Sequence, residues 1–382
     1  MIIGVDLRPI NTGEKSGVEE YIVNLLAHLF LIDRKNQYKL FINSFSPPKL
    51  NFGKLSKFKN ARLYFFSYPN KALNSAFAFL KFPCLDRMLG GVDLFFSPNL
   101  TFTHLSKNCR QVITFHDLSF ERYPEFFSLK RRLWHKLILP REAASEASGI
   151  IAVSCSTAAD LQELYQAPPE KIKVIYSGVL NKFKPRLKND SDVSAVRRKY
   201  NLPRRFILYL GTIEPRKNLE GLLLAFANLK KWQKGDLKLV IAGRPGWLYK
   251  NVYKLASQSG VSRDIIFTGF ITDQDKPYLY NLADVFVYPS FYEGFGFPPL
   301  EAMASGVPVI SSHISSLPEV VSKAGILIDP YNINEITLAL KQVLGDQALK
   351  QALIEKGKQQ AKNFNWLATA RQTLNFFEEI LR

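Results

Sequence analysis

"FILYLGTIEPRKNLEGLLLAF", residues 206–226, runs from five apolar residues through a charged loop into a second apolar pattern. Leu219, Leu222, Leu223, Phe226 and Leu229 recur every three or four residues and so share one helix face. The opening run is too short for a helix and is apolar on both faces, which reads as a buried parallel strand. Strand, loop and helix therefore follow one another, and the chain does this twice. At the start, "IIGVD" (2–6) is followed by a loop and by "SGVEEYIVNLLAHL" (16–29), with Val18, Tyr21, Ile22, Leu25, Leu26 and Leu29 on the apolar face. Ser16 and Glu19 have the capping-box spacing, which starts that helix at Gly17.

Short apolar runs continue in both halves. In the first they are "YKLFI" (38–42), "RLYFF" (62–66), "DLFFS" (93–97), "QVITFHD" (111–117), "GIIAVS" (149–154) and "KIKVIY" (171–176). In the second they are "LKLVIA" (237–242), "IIF" (265–267), "VFVYPS" (285–290), "VPVI" (307–310) and "ILID" (326–329). Strands alternating with helices argue for parallel sheets covered on both sides. The polar stretch 181–205 reads as a linker. The expected fold is α/β: a Rossmann-like domain over 1–180, a second over 206–363, each doubly wound, and a cleft between the carboxyl ends of their sheets, where such folds bind ligands. The amphipathic segment 364–382 is expected as a helix crossing back to the first domain.

At 382 residues, with 47% hydrophobic residues, two cores are the natural expectation. Cys84, Cys109 and Cys155 are widely spaced and form no disulfide or zinc pattern, which favours a reducing compartment, the cytoplasm. The N-terminus lacks a signal-peptide pattern, and no apolar window is long enough to span a bilayer. The formal charge is +18, from 51 Lys and Arg against 33 Asp and Glu. Between Asp33 and Asp86 there is no acid, while Arg34, Lys35, Lys39, Lys49, Lys54, Lys57, Lys59, Arg62, Lys71 and Lys81 all fall there. "FFSLKRRLWHK" (126–136) adds a second basic cluster interleaved with aromatics. Such surfaces attract phosphates, on nucleic acid, lipid or substrate; a solvated face that keeps the protein soluble is the alternative.

The loops carry the chemistry. In "YEGFGFPPLEAMASG" (292–306), Glu293 closes a strand, Gly294 and Gly296 flank Phe295 and admit close backbone approach, and Pro298 and Pro299 suit a first helical turn with Glu301 just beyond. A helix start of this kind accommodates a diphosphate. Carboxylates accept hydrogen bonds from hydroxyls, so the two acids match a ligand with phosphate in the middle and a polyol at each end. That is a nucleotide sugar, with Glu301 on the ribose and Glu293 on the sugar. Separately, Glu293 also fits a strand-end surface acid, and Glu301 an acid complementing the helix dipole. In "GTIEPRKN" (211–218), Gly211 ends the strand, and Arg216 and Lys217 precede the next helix, placed to neutralise a departing diphosphate. Surface solvation is the other reading of that pair. Gly17 offers a second helix N-terminus to the same phosphates. His116, at a strand end beside Asp117, suits contact with a sugar hydroxyl or a hydrogen bond within its own loop. The Asp-x-Asp patterns at 190–192 and 273–275 do not follow apolar strands, so no metal is expected. Walker and G-x-G-x-x-G loops are absent.

"EGFGFPPLEAMASGVPV", "GTIEPRKNLEGLL", "FHDLSF" and "SGVEEY", in their order and spacing, resemble the retaining glycosyltransferases of family 4, which have the GT-B fold. The resemblance spans almost the whole chain. It implies transfer of a hexose from a nucleotide sugar, without metal or other cofactor, with retention at the anomeric carbon through front-face attack. It gives Glu293 the place near the transferred sugar, Glu301 the ribose, Lys217 the diphosphate and His116 the donor sugar. Many members carry Gly-Arg where this chain has Gly211 and Thr212, and the "EPRKN" variant points to Arg216 as the substitute. The motifs are closest in kind to mannosyltransferases using GDP-mannose in surface polysaccharide assembly. A glycan or polyprenyl-linked acceptor at the inner face of the cell membrane would use the basic first domain. A UDP-sugar-dependent transferase, a nucleotide-sugar epimerase or hydrolase, a non-catalytic sugar-nucleotide sensor and a basic nucleic-acid-binding protein are the competing readings; the last leaves the glutamate loop unexplained, so no nucleic acid is expected as partner.

Overall fold

A computed structural model describes residues 1–10, 16–44, 58–233 and 235–382. Lys49, Lys54 and Lys57 of the acid-free basic run lie outside these residues. The chain forms two compact units. Unit 1 comprises Met1–Phe120, Leu129–Gly178 and Asn365–Arg382; unit 2 comprises Glu121–Ser128 and Val179–Phe364.

Unit 1 contains β1 (Ile2–Asp6), β2 (Gln37–Asn43), β3 (Ala61–Phe66), β4 (Leu94–Ser97), β5 (Arg110–Phe115), β6 (Gly149–Ala152) and β7 (Ile172–Val174). They form one parallel sheet in the order β3-β2-β1-β4-β5-β6-β7. Unit 2 contains β8 (Phe206–Leu210), β9 (Lys238–Ala242), β10 (Ile265–Gly269), β11 (Val285–Tyr288), β12 (Val309–Ser312) and β13 (Ile326–Ile328), in the order β10-β9-β8-β11-β12-β13. Each order reverses once, between β1 and β4 and between β8 and β11. Strands β4, β6, β8 and β11 are buried along their whole length, as apolar runs covered by helices on both faces must be. Strand β3 departs from that pattern because it is an edge strand, with Leu63 and Phe65 exposed.

The helix after β1 spans Gly17–Ile32, and the Ser16 hydroxyl accepts the Glu19 amide at 3.2 Å. Its buried face, Tyr21, Ile22, Leu25, Leu26, Leu29 and Phe30, is the periodic set. The C-terminal helix Trp366–Leu381 packs beside it in unit 1. Phe377 meets Phe96 of β4 at 5.1 Å between ring centroids, and the Thr369 hydroxyl donates to the Tyr176 carbonyl.

Two boundaries differ from the sequence expectation. Residues 181–205 are not a free linker. They carry the helix Ser191–Lys199, whose Val193 and Val196 are buried and which packs on the helix Lys276–Leu282 of unit 2. Two lysines of the segment also have partners in unit 2: Lys199 meets Asp275 at 2.6 Å and Lys188 meets Asp284 at 3.2 Å. Residues 121–128, inside the expected first domain, belong to unit 2, because Phe127 stacks on Trp247 and Tyr123 packs on Tyr292.

At the carboxyl ends of β8 and β9 two backbones touch. Gly243 has φ +150°, and a Cβ there would lie 1.8 Å from the Gly211 carbonyl oxygen, a contact neither backbone can relieve. Gly243→Ala is expected to cost more than about 3 kcal/mol, whereas Gly91→Ala, at φ +82° with open space around it, should cost about 1 kcal/mol. Denaturant titration of the two variants tests this; equal losses would show that the strand-end contact is softer than its geometry.

Candidate active site

The strand order of the unit 2 sheet reverses between β8 and β11, the kind of switch point at whose carboxyl ends open parallel sheets bind ligands. The loop after β8 leads through the short helix Pro215–Lys217 to the helix Leu219–Trp232. Asn218 makes that junction at φ +53°: its Oδ1 accepts the Gly221 amide and its Nδ2 donates to the Pro330 carbonyl at 2.6 Å. The loop after β11 is tied to this one, since the Phe291 amide donates to the Arg216 carbonyl. Thus Arg216, Lys217 and Glu293, far apart in sequence, are held together by two backbones.

Their side chains form one buried network with Glu214. Lys217 Nζ lies 2.5 Å from Glu293 Oε1 and donates to the Tyr288 hydroxyl at 2.8 Å. Arg216 Nη1 lies 3.1 Å from Glu293 Oε2 and donates to the Tyr292 carbonyl, while Nε and Nη2 both donate to Glu214 Oε1. Two cations thus meet two carboxylates. Glu214, Lys217 and Glu293 are buried, so each depends on its partners rather than on bulk water to compensate its charge. Burial pushes the Glu293 carboxyl up, but Arg216 and then Lys217 outweigh it and hold the group at about 2. Burial, with Glu293 nearby, drives the Tyr288 phenol well above its ordinary range, so it remains a neutral partner.

Beyond Glu293 the chain turns into the helix Phe297–Ala304 through Gly296 at φ +115°, where a Cβ would meet Leu317 at 2.9 Å. The Ser316 hydroxyl lies within hydrogen-bond distance of the carbonyls of both Glu293 and Phe295, and the Ser315 hydroxyl accepts the Glu293 amide, which together shape the Gly294–Phe295–Gly296 loop. Pro298 and Pro299 begin the helix as expected, but they carry no N–H. This start therefore offers an anion fewer amide donors than an ordinary first turn, and the two side-chain cations dominate the site. Glu301, 3% exposed, accepts a hydrogen bond from the Tyr280 hydroxyl at 2.8 Å.

In unit 1, Gly17 begins the helix after β1, and His116 and Asp117 follow β5. His116 Nε2 lies 2.9 Å from the Pro98 carbonyl. A carbonyl only accepts, so Nε2 carries the proton. Burial lowers the imidazole pKa, which favours the neutral ring, with Nδ1 as the lone-pair nitrogen. Asp117 accepts from the amide and hydroxyl of Ser119, a loop role. The Asp-x-Asp acids serve folding: Asp190 caps its helix, Asp192 accepts from Tyr278, Asp273 pairs with Lys276, and Asp275 holds Lys199, Tyr200 and Thr272.

The sequence reading assigned no role to Glu214, Tyr288, Tyr280, Asn218 or Ser316. Glu214 carried a signal, as an acid two residues before Arg216 in a strand-end loop. Tyr280 and Ser316 carried none, because only the fold brings them to their partners.

The family described as Glycosyltransferase Family 4 matches residues 15–180, and the family described as Glycosyl transferases group 1 matches residues 192–360. The chain is 35% identical over 286 residues to the O-antigen chain mannosyltransferase B of Escherichia coli, covering 75% of this chain and 74% of that one. It is 36% identical over 239 residues to the serotype-specific mannosyltransferase WbdA of Escherichia coli, covering 62% of this chain but only 29% of that longer one. Among solved structures, the sucrose-phosphate synthase of Thermosynechococcus elongatus superimposes with a TM-score of 0.77 at 20% identity, covering 100% of this chain and 99% of that one.

Glu293→Gln removes one partner of a buried ionic network and is expected to lower stability by about 3 kcal/mol at pH 7. A carboxyl held at about 2 in the folded protein, against 4.5 unperturbed, contributes stability that is complete above pH 4.5 and lost as the pH falls towards 2. The gap between wild type and variant in chemical denaturation should therefore be constant from pH 7 to about 5 and narrow below it. A gap independent of pH would show that Glu293 is not held ionised by its neighbours.

Proposed function

The chain belongs to glycosyltransferase family 4, and from that premise we propose that it transfers mannose from GDP-mannose to a glycan or lipid-linked acceptor in the assembly of a surface polysaccharide. The observation that carries the proposal is the buried network of Arg216, Lys217, Glu214 and Glu293 at the carboxyl ends of β8 and β11. Both cations have already left water, so pairing them with a diphosphate requires little further desolvation, and charge-assisted bonds to phosphate oxygens are among the strong ones. As they turn towards the diphosphate, Glu293 is released to accept hydrogen bonds from the sugar hydroxyls. When the sugar–phosphate bond breaks, the same cations stabilise the negative charge on the leaving group. Arg216 and Lys217 thus take the part that a divalent cation takes in other transferases, and the reaction we propose needs none.

Retention fits the same chemistry. Acceptor attack on the face the diphosphate leaves, with a phosphate oxygen taking the acceptor proton, needs no side-chain nucleophile and leaves Glu293 to hold the sugar hydroxyls. His116 Nδ1, as an acceptor, suits a donor-sugar hydroxyl. Mannose as the sugar rests on the two Escherichia coli mannosyltransferases.

The acceptor side points to a membrane surface. Among the described residues, no helix is long and apolar enough to cross a bilayer. The helix Leu129–Leu137 instead exposes Leu129, Leu133 and Leu137 at i, i+4 and i+8, with Trp134 beside them and Lys130 and Lys136 also exposed. An apolar stripe bordered by cations suits an anionic lipid surface. Part of the basic excess is used internally, since Lys39 Nζ donates to the carbonyls of Leu89, Gly90 and Gly91.

In a thermal-shift screen of nucleotides and sugar nucleotides, GDP and GDP-mannose should stabilise the protein equally with and without EDTA, and Glu301→Ala should weaken the shift at least tenfold in ligand concentration. Stabilisation by uridine nucleotides alone would replace the donor. Donor consumption without acceptor would replace transfer by hydrolysis or epimerisation, and an inverted anomeric product would remove front-face attack. On anionic vesicles, flotation at low salt should be lost in the Leu133→Asp/Leu137→Asp double variant; flotation unchanged in that variant would move the membrane contact elsewhere.

A further inference from the structure

Tyr280 is 0% exposed on the helix Lys276–Leu282, with its ring edge-on to Phe183 at 6.0 Å and to Phe286 at 5.4 Å. Phenylalanine would satisfy that packing. A hydroxyl added to such surroundings costs stability unless it is bonded, and here it donates to Glu301 Oε2 at 2.8 Å. Glu301 is itself buried, on the helix that starts at Phe297. The phenol donor on Oε2 restrains the orientation of the carboxylate.

We infer that Tyr280 is a positioning residue for the donor, holding the Glu301 carboxylate as a pre-oriented acceptor for a vicinal diol, the 2′- and 3′-hydroxyls of the nucleotide ribose. This rests on the assignment of Glu301 to the ribose made above. Both the diol and Tyr280 donate, and a carboxylate has two oxygens with capacity for several donors. With the tyrosine in place, the cost of orienting Glu301 is met in folding rather than in binding. Tyr280 supplies no proton to the reaction, and its loss acts on donor recognition.

The test compares GDP with 2′,3′-dideoxy-GDP by calorimetry in wild type, Tyr280→Phe and Glu301→Gln, with KM and kcat for GDP-mannose alongside. Wild type should prefer the ribose form by about tenfold or more, the worth of a hydrogen-bonded diol. Tyr280→Phe should lose most of that preference, bind the dideoxy nucleotide as wild type does, and raise KM for the donor with kcat within about threefold. Glu301→Gln should lose the preference as well. If wild type shows no preference for the diol, the ribose assignment of Glu301 fails. If wild type and Tyr280→Phe share the preference while Glu301→Gln lacks it, the ribose assignment stands and the role of Tyr280 is overturned. Equal weakening of both nucleotides in Tyr280→Phe also overturns it, as a structural effect only. Should Tyr280→Phe not fold, p-fluorophenylalanine at position 280 fills the hydroxyl's volume without its proton and is read by the same comparison.

Discussion

The pairing of Glu293 with Arg216 and Lys217 is the constraint around which unit 2 is arranged. Charges this deeply buried are tolerated only when each has a partner, and here Arg216 and Lys217 of the loop after β8 meet Glu293 of the loop after β11, while Glu214 pairs with Arg216 within its own loop. The loops after β8 and β11 must therefore approach closely, and Gly296, at φ +115°, lets the chain turn back into a helix just beyond Glu293. Asn218, Ser315 and Ser316 then fix the remaining backbone groups of those loops. The charges of this network are balanced internally, two cations against two carboxylates.

That balance separates the two glutamates. Glu293 is paired with the Arg216 and Lys217 cations, and Glu301 accepts from the Tyr280 phenol. Similar acids eight residues apart are thereby given different chemistry by the groups opposite them.

Much of this architecture was legible in the sequence, because short apolar runs and helical periodicity report burial directly. β1 and β8 lie where "IIGVD" and "FILYL" placed them, and Ser16 caps the helix that its spacing announced. The linker was misread because the helix Ser191–Lys199 buries only two valines, Val193 and Val196, among charged and polar residues, so its composition reads as solvated. Segment 121–128 was misassigned for the opposite reason: its aromatics pack on residues more than a hundred positions away. In the site, Arg216, Lys217, Glu293 and Glu301 were readable because motif spacing encodes loops at strand ends. Glu214 and Tyr280 were not, since a buried acid or tyrosine differs from an exposed one only through neighbours that the fold supplies. The missing donors of Pro298 and Pro299 were open to inspection in the sequence.

The course of the chain also sets an order of assembly. Unit 1 is built from residues on both sides of unit 2, since the helix Trp366–Leu381 lies in unit 1 and covers β4 through Phe377. On the ribosome, the first sheet to be made is thus among the last to be covered. Every residue of unit 2 is synthesised while the seat of that final helix is still open. The apolar face that Phe377 covers on β4 can therefore be closed only after all of unit 2 has been made.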